Sequence, residues 1–98
     1  MAKRIIWSKI AIKRRDEILE YWAHRNGNRR YSIKLSKIFQ RAINNLQGFS
    51  YLGKKTNRVN TRECIVIDYS IFYEVTKNEI TILLIWDNRR NPKDLKLN

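Results

Sequence analysis

The residues of this sequence with the clearest capacity for chemistry are cationic. Arg62 opens a segment rich in strand-forming residues, and Arg89 and Arg90 follow the last segment of that kind. Three further cations occupy the polar loop before Arg62: Lys54, Lys55 and Arg58. An arginine side chain suits a phosphate group because its planar guanidinium donates two hydrogen bonds at once. These positions therefore predict a phosphate-binding surface.

The net charge extends this inference to the whole chain. The 98 residues include 21 Lys and Arg against 9 Asp and Glu, for a formal charge of +12. A field of this size attracts phosphate backbones, anionic lipids and acidic proteins. Membrane association is the weakest of these, because no apolar run approaches the ~18 residues of a spanning helix. We therefore expect partners that carry phosphates or carboxylates.

Metal and redox chemistry have few candidate residues. Cys64 is the sole cysteine and His24 the sole histidine, which is too few for an internal disulfide or a structural zinc site. Residues 1–8 lack the long apolar region and the cleavage site of a signal peptide. We expect a cytoplasmic protein that uses no metal and no cofactor.

Several other side chains have a structural interpretation beside a chemical one. His24 could act as a base, yet a histidine near the end of a helix can simply favour the helix dipole. Tyr69 and Tyr73 could face an active surface, although aromatic strand residues more often pack a core. Trp86 could stack on a nucleotide base, and Asp87 could orient one of the two arginines that follow it or only form a turn. Packing is the simpler interpretation of the aromatic residues.

Two predicted helices precede most of the strands. Ser8 is placed to cap the first helix, which should run to about His24, and the Asn-Gly-Asn sequence at 26–28 predicts a helix-breaking turn. The second helix carries apolar residues on one face at a period of 3.6. These residues are Tyr31, Leu35, Ile38, Phe39, Ala42, Ile43 and Leu46. Gly48 is well placed to end it. The two helices should form an antiparallel hairpin that buries this stripe.

Strand-forming residues dominate the rest of the chain. Residues 3–7 alternate weakly and predict a short opening strand. Three later segments are rich in Ile, Val, Tyr and Phe, as strands are: 62–69, 71–75 and 80–86. The turns at 68–70 and 77–79 are short enough to connect them as hairpins. This order predicts one α+β domain over residues 1–98, with an N-terminal strand, an antiparallel two-helix hairpin and a three-stranded antiparallel meander.

A series of short motifs follows these elements. Trp7-Ser8 ends the first strand, and Tyr21-Trp22 lies near the end of the first helix. The later motifs are Leu46, Phe49, Leu52 and Gly53, then YSIFYEV at 69–75, ITIL at 80–83 and WDNRRNP at 86–92. In this order and spacing, the motifs resemble those of the RelE/ParE toxin family over essentially the whole chain.

The resemblance implies a toxin that is encoded beside an antitoxin, which wraps and neutralises it. One branch of the family enters the ribosomal A site and cuts mRNA without a metal ion, whereas the ParE branch poisons DNA gyrase. Because this chain is strongly basic, we expect its antitoxin to be acidic and partly disordered. Such a segment would fold a helix onto the helix hairpin while its carboxylates neutralise the arginines.

Metal-free cleavage of RNA makes three chemical demands. It needs a base for the 2′-hydroxyl, a cation for the charge that develops on phosphorus and an acid for the leaving oxygen. Cleaving members of the family commonly place an arginine directly after the first tyrosine of a Tyr-x-x-x-Tyr strand, where this chain has Ser70. They often carry a tyrosine or histidine near the C-terminus, which residues 92–98 lack. The cations remain, but the usual proton-transfer residues are missing.

These comparisons give a set of candidate residues and three candidate functions. The catalytic candidates are Arg62, Tyr73, Arg89 and Arg90. The candidates for binding RNA or another target are Lys54, Lys55, Arg58, Trp86 and Lys93. We favour a ParE-like toxin that poisons DNA gyrase. A ribosome-dependent, metal-independent mRNA endonuclease is the close alternative, because family members vary in which residues do the chemistry. The third is a non-toxic basic module that binds nucleic acid by neutralising phosphates.

Overall fold

Two helices follow a short opening strand in the computed structural model, which describes residues 3–90. The bounds are Arg4–Trp7 for strand β1, Lys9–Asn26 for helix α1 and Arg30–Gly48 for helix α2. Ser8 caps α1 as predicted, because its hydroxyl oxygen accepts a hydrogen bond from the Ala11 amide at 3.1 Å. This bond satisfies one of the donors that the first helical turn leaves unpaired. Gly27 then ends α1 at φ 70°, a left-handed conformation that favours glycine.

Helix α2 buries the predicted apolar stripe. Leu35, Phe39, Ile43 and Leu46 are all at most 1% exposed. Removing each of these side chains from water contributes roughly 1.5–3 kcal/mol relative to leaving it exposed. The prediction of an amphipathic second helix is therefore confirmed. No helix within residues 3–90 is long and apolar enough to cross a membrane.

The strands form one five-stranded sheet in the order β1-β5-β4-β3-β2. The later strands are β2 at Lys54–Lys55, β3 at Thr61–Val66, β4 at Tyr69–Val75 and β5 at Glu79–Asp87. Strand β1 pairs parallel with β5, and the other pairs are antiparallel. The predicted α+β architecture is confirmed, with the helix hairpin packed on one face of the sheet.

Two details of the strand prediction were wrong. The turn expected at 68–70 lies at Ile67 and Asp68, so that Tyr69 begins β4 opposite Val66. Burial of the Tyr69 ring against the helices decides this register, since shifting a strand by one residue would turn the ring to the other face. The short strand β2 was also missed. A lysine pair has little strand preference of its own, and it is extended here because it pairs with β3.

A β-bulge gives the sheet two packed faces. Tyr73 pairs with Ile82 and Phe72 with Leu84, which leaves Leu83 as an extra residue in β5. The extra residue shifts the alternation of side chains along that strand. Phe72, Leu84 and the later Trp86 therefore form a small buried cluster that is separate from the main core. The bulge thus places Leu84 and Trp86 on the same face of the sheet as Phe72.

Candidate functional site

A cleft of about 390 Å³ lies between α1 and the end of β5. Helix α1 lines one side with Arg14, Glu17, Ile18 and Tyr21. The sheet lines the other side with Tyr69, Ile85, Trp86, Asp87, Arg89 and Arg90. Three arginines and several aromatic rings therefore meet at one end of the molecule.

Arg89 is held in this cleft by Asp87. Its Nε atom donates to Asp87 Oδ1 at 2.9 Å, and its Nη2 atom donates to Oδ2 at 2.7 Å. The Arg89 backbone amide also donates to Oδ1, at 2.9 Å. These hydrogen bonds from Arg89 lower the pKa of Asp87 and raise the pKa of Arg89. A two-point contact of this kind fixes the direction of the guanidinium.

Two aromatic rings lie against the Arg89 guanidinium. The guanidinium lies 5.5 Å from the ring centre of Trp22 and 5.9 Å from that of Tyr69. The Trp22 indole N–H donates to the Tyr69 hydroxyl at 2.8 Å, and the Tyr69 ring meets Phe39 edge-on at 5.4 Å. Burial raises the pKa of Tyr69. Tyr69 therefore positions the arginine and keeps its own proton at neutral pH.

Arg90 lines the same cleft as Arg89 but contacts a different aromatic ring. Its guanidinium covers the Trp86 ring at 5.0 Å, and Trp86 belongs to the small cluster on the face away from the helices. Trp86 is only 5% exposed, so little ring area is open to a nucleotide base. The two neighbouring arginines thus flank the end of β5.

Ser70 occupies the position after Tyr69 and is fully buried. Its hydroxyl donates to the Glu63 carboxylate and accepts from the Asn88 side-chain amide at 2.9 Å. The second carboxylate oxygen of Glu63 lies 3.8 Å from the Lys54 ammonium group. The position that carries an arginine in cleaving relatives is therefore filled by a neutral group with its hydrogen bonds satisfied.

Tyr73 and Arg62 order the segment between α2 and β2. The buried Tyr73 hydroxyl donates to the Ser50 carbonyl and accepts from the Gly53 amide, both at 2.9 Å. Burial raises the pKa of this phenol. Arg62 donates to the Gly53 carbonyl at 2.7 Å and lies over the Tyr51 ring at 4.7 Å. A Cβ atom added at Gly53 would be 2.6 Å from the Tyr73 hydroxyl, so the close packing requires glycine.

The structure divides the candidate residues between two ends of the sheet. Ile82 lies opposite Tyr73, and Asp87 lies opposite Tyr69. The five residue steps between them along β5 span roughly 16 Å at ~3.3 Å per residue. Two groups result: Arg62, Tyr73, Lys54, Lys55 and Arg58 at one end, and Trp86, Arg89 and Arg90 at the other. Lys93 lies outside the described residues.

Sequence reasoning missed the support that Trp22 gives to Arg89. Trp22 lies on α1 and is 47 positions from its hydrogen-bond partner Tyr69, so no local pattern connects the two residues. The sequence allows Asp87 to orient one of the arginines that follow it, and in the structure Asp87 contacts Arg89. Within residues 3–90, no three His, Cys, Asp or Glu side chains are grouped so that they could hold a metal ion.

Comparisons with known proteins agree with this architecture. The fold is similar to a chain of the chromosomal ParDE toxin–antitoxin system from P. aeruginosa, with a TM-score of 0.74 at 19% identity over 86% of this chain and 94% of that one. No curated protein matched the sequence. The family model for the ParE toxin of the type II toxin–antitoxin system parDE matches residues 5–92. Because that match spans most of the sequence, the chain belongs to the ParE toxin family of type II toxin–antitoxin systems.

Proposed function

We propose that this chain is a growth-inhibiting toxin that poisons DNA gyrase and does not cut mRNA. The observation that carries the proposal is the environment of Ser70. Its hydroxyl is buried and engaged by Glu63 and Asn88, at the position where cleaving relatives hold an arginine. Nothing at this position can stabilise the charge that develops on a phosphate in RNA cleavage.

The other candidate residues are also poorly suited to proton transfer. The Tyr73 hydroxyl bonds to backbone groups in the interior, and burial raises the pKa of both Tyr69 and Tyr73. A tyrosine can act as a general base only after it has lost its own phenolic proton, and it must lie within hydrogen-bond reach of the substrate. This supports a toxin that acts by binding a protein target.

The arginine pair at the end of β5 is the surface that we assign to the target. Arg89 is fixed by Asp87 and supported by Trp22, so that little side-chain entropy remains to be lost on binding. Buried arginines and aromatic residues dominate the energy of many protein interfaces. Arg90 extends the same surface beyond Trp86.

Neutralisation by an acidic antitoxin is part of the same proposal. The helix hairpin leaves Ile10, Ile12 and Ile33 at least 38% exposed, and Lys13 and Lys34 follow two of these residues in the sequence. An amphipathic acidic helix suits such a surface, because it offers apolar contacts and opposite charge together. Co-expression of the neighbouring antitoxin should therefore relieve the growth inhibition.

The two molecular targets can be separated with one protein preparation. We would add the full-length chain to gyrase with relaxed plasmid, and in parallel to a cell-free translation reaction whose message is mapped by primer extension. We expect inhibited supercoiling with trapped cleaved plasmid, and no new mRNA ends. New ends at ribosomal A-site codons would instead establish an mRNA endonuclease. Inactivity in both assays, with harmless overexpression, would favour a non-toxic nucleic-acid-binding module.

A matched pair of double variants tests the assigned surface. Replacing Arg89 and Arg90 with glutamine should weaken gyrase inhibition about tenfold or more, since arginines at interface centres commonly dominate binding. Replacing Lys34 and Lys37 on α2 with glutamine removes the same charge elsewhere and should change inhibition much less. Equal loss in the two variants would mean that net charge, and not this surface, drives inhibition. Circular dichroism melts would verify that each variant is folded.

A further inference from the structure

A second cleft, of about 460 Å³, lies at the opposite end of the sheet. It is formed by the segment after α2 and by the loop between β2 and β3. Its lining includes Tyr51, Lys55, Arg58 and Arg62. Clefts of this volume commonly accommodate small ligands or single groups of larger ones. Neither the proposed gyrase-binding surface nor the proposed antitoxin surface uses this cleft.

The loop that forms one wall of the cleft is internally ordered. The Thr56 amide donates to the Thr61 carbonyl at 3.1 Å, and the Thr61 amide donates to the Arg58 carbonyl at 3.2 Å. The Thr56 hydroxyl accepts from the Arg58 amide at 3.1 Å. Asn60 has a positive φ of 58°, which asparagine tolerates better than most residues, and its carbonyl accepts from the Val75 amide at 2.8 Å. The loop therefore presents its side chains from a fixed backbone.

Tyr51 provides an exposed aromatic surface at the opening of this cleft. Tyr51 is among the most exposed of the described aromatic residues, with 68% of its surface accessible. The Arg62 guanidinium lies 4.7 Å from the ring centre and is held by the Gly53 carbonyl. A guanidinium over one side of an aromatic ring restrains it by a cation–π contact. The remaining ring surface is available for stacking by a planar group.

The charge of this cleft differs from that of the cleft beside Arg89. None of the described residues that line it is an Asp or Glu, whereas Glu17 and Asp87 line the other cleft. The Arg62 guanidinium bonds to the carbonyls of Tyr51 and Gly53, which are neutral and leave its charge in place. The cleft is therefore suited to an anion.

We propose that this cleft binds single-stranded nucleic acid. Phosphates would contact Lys55, Arg58 and Arg62, and one unpaired base would stack on Tyr51. Stacking on an aromatic side chain combined with a cationic path for the backbone is the usual means of binding single strands without sequence preference. A base within a duplex is already stacked on its neighbours, so the tyrosine favours single strands over duplex.

Fluorescence anisotropy with the full-length chain tests this proposal. The probes are labelled oligo-dT and oligo-U of about 12 nucleotides, a length suited to one small binding domain, and a duplex of matched length. We expect both single strands to bind more tightly than the duplex. The tighter of the two single strands identifies the natural ligand as DNA or RNA.

Two sets of variants test whether this cleft is where the oligonucleotides bind. Tyr51→Ala should weaken binding of single strands about tenfold, within the range for loss of one stacked base, while Tyr51→Phe should keep it. The double variant K55Q/R58Q should make the negative slope of log K against log salt shallower by about 1.4, because each phosphate contact on a single strand contributes about −0.7. The double variant K34Q/K37Q has the same net charge as K55Q/R58Q and should keep the wild-type slope.

Three results would overturn the proposal. Equal affinity for duplex and single strands would exclude a stacked, unpaired base. Wild-type affinity in Tyr51→Ala would exclude this tyrosine as the stacking residue. Equal slopes in the two double variants would show that the charge of the whole chain attracts the nucleic acid. The Arg89 and Arg90 double variant should bind the oligonucleotides normally, which distinguishes this proposal from the proposed action on gyrase.

Discussion

Ser70 connects polar groups from two other segments of the chain at the end of the sheet. Its hydroxyl donates to the Glu63 carboxylate on β3 and accepts from Asn88, which follows β5. Because Ser70 is fully buried, water cannot readily replace the hydroxyl if it is removed. The serine thus has a structural role at the position where cleaving relatives use an arginine for chemistry.

Replacing Ser70 with alanine should lower the free energy of unfolding by about 1–3 kcal/mol. The physical reason is that Glu63 and Asn88 lose a partner in a partly buried place, where an unsatisfied polar group is costly. Urea unfolding followed by circular dichroism measures the change. Ser36→Ala, at a half-buried position on α2, serves as the matched control and should have a smaller effect. Equal stability of Ser70→Ala and the wild type would contradict the structural role.

Asp87 should make folding stability depend on pH in the acid range. The hydrogen bonds from Arg89 lower the pKa of Asp87 in the folded protein, so the unfolded chain takes up this proton at a higher pH. The contribution is therefore complete at neutral pH and is lost as the pH falls from about 5 through the lowered folded pKa. Asp87→Asn should flatten this part of the stability curve. Arg89→Gln should flatten it too, and an unchanged curve in both variants would refute the assigned cause.

The β3–β4 hairpin is the element with the clearest backbone strain. Ile67 adopts a φ of 58° in its turn, although a β-branched residue is unfavourable in the left-handed region. The pairing of Val66 with Tyr69 leaves only two residues to connect the strands. The burial of Tyr69 under the helices keeps that register, so the turn accommodates the strain.

Replacing Ile67 with glycine should raise the free energy of unfolding by about 1 kcal/mol, because glycine adopts positive φ without a steric penalty. Ile65→Gly is the matched control. Ile65 is similarly exposed, at 58% against 52%, but it lies within β3, where glycine weakens a strand. Thermal or urea unfolding should therefore move in opposite directions for the two variants. Destabilisation by both would mean that the Ile67 side chain contributes more than its backbone conformation costs.

At the scale of the whole molecule, the sheet separates two basic clefts. The cleft beside Arg89 contains carboxylates that pair with Arg14 and Arg89, whereas the cleft beside Tyr51 has none among its described lining residues. The first is therefore suited to a defined protein contact and the second to a flexible polyanion. Together, the two proposed surfaces would let a single small protein contact gyrase and a nucleic-acid strand at once.

The net charge of +12 should make the folded protein more stable at higher ionic strength. Like charges are closer together in the compact chain than in the unfolded one, and salt screens their repulsion. We expect the thermal midpoint to rise as sodium chloride is increased from about 50 mM to about 500 mM. Differential scanning calorimetry measures it. A midpoint that falls with salt would mean that the surface ion pairs outweigh the repulsion.

The sequence by itself determined the features that depend on near neighbours. The apolar stripe of α2, from Tyr31 to Leu46, repeats at the helical period and was found without the structure. Ser8 was identified as a cap because a cap bonds within one helical turn. The order of helices and strands, and hence the α+β fold, follows from the same local periodicities. The motif at 69–75 located Ser70 at the position where the resemblance leads us to expect an arginine in cleaving relatives.

Only the tertiary structure decided which distant residues meet. The position of the β3–β4 turn depends on burial of Tyr69 against helices, and strand β2 exists only because β3 pairs with it. The bond from Trp22 to Tyr69 joins residues far apart in the chain. The separation of Arg62 from Arg89 was equally hidden in the sequence, because it is set by strand register and a bulge. Register depends on the packing of whole faces, whereas a sequence pattern records only the face each residue prefers.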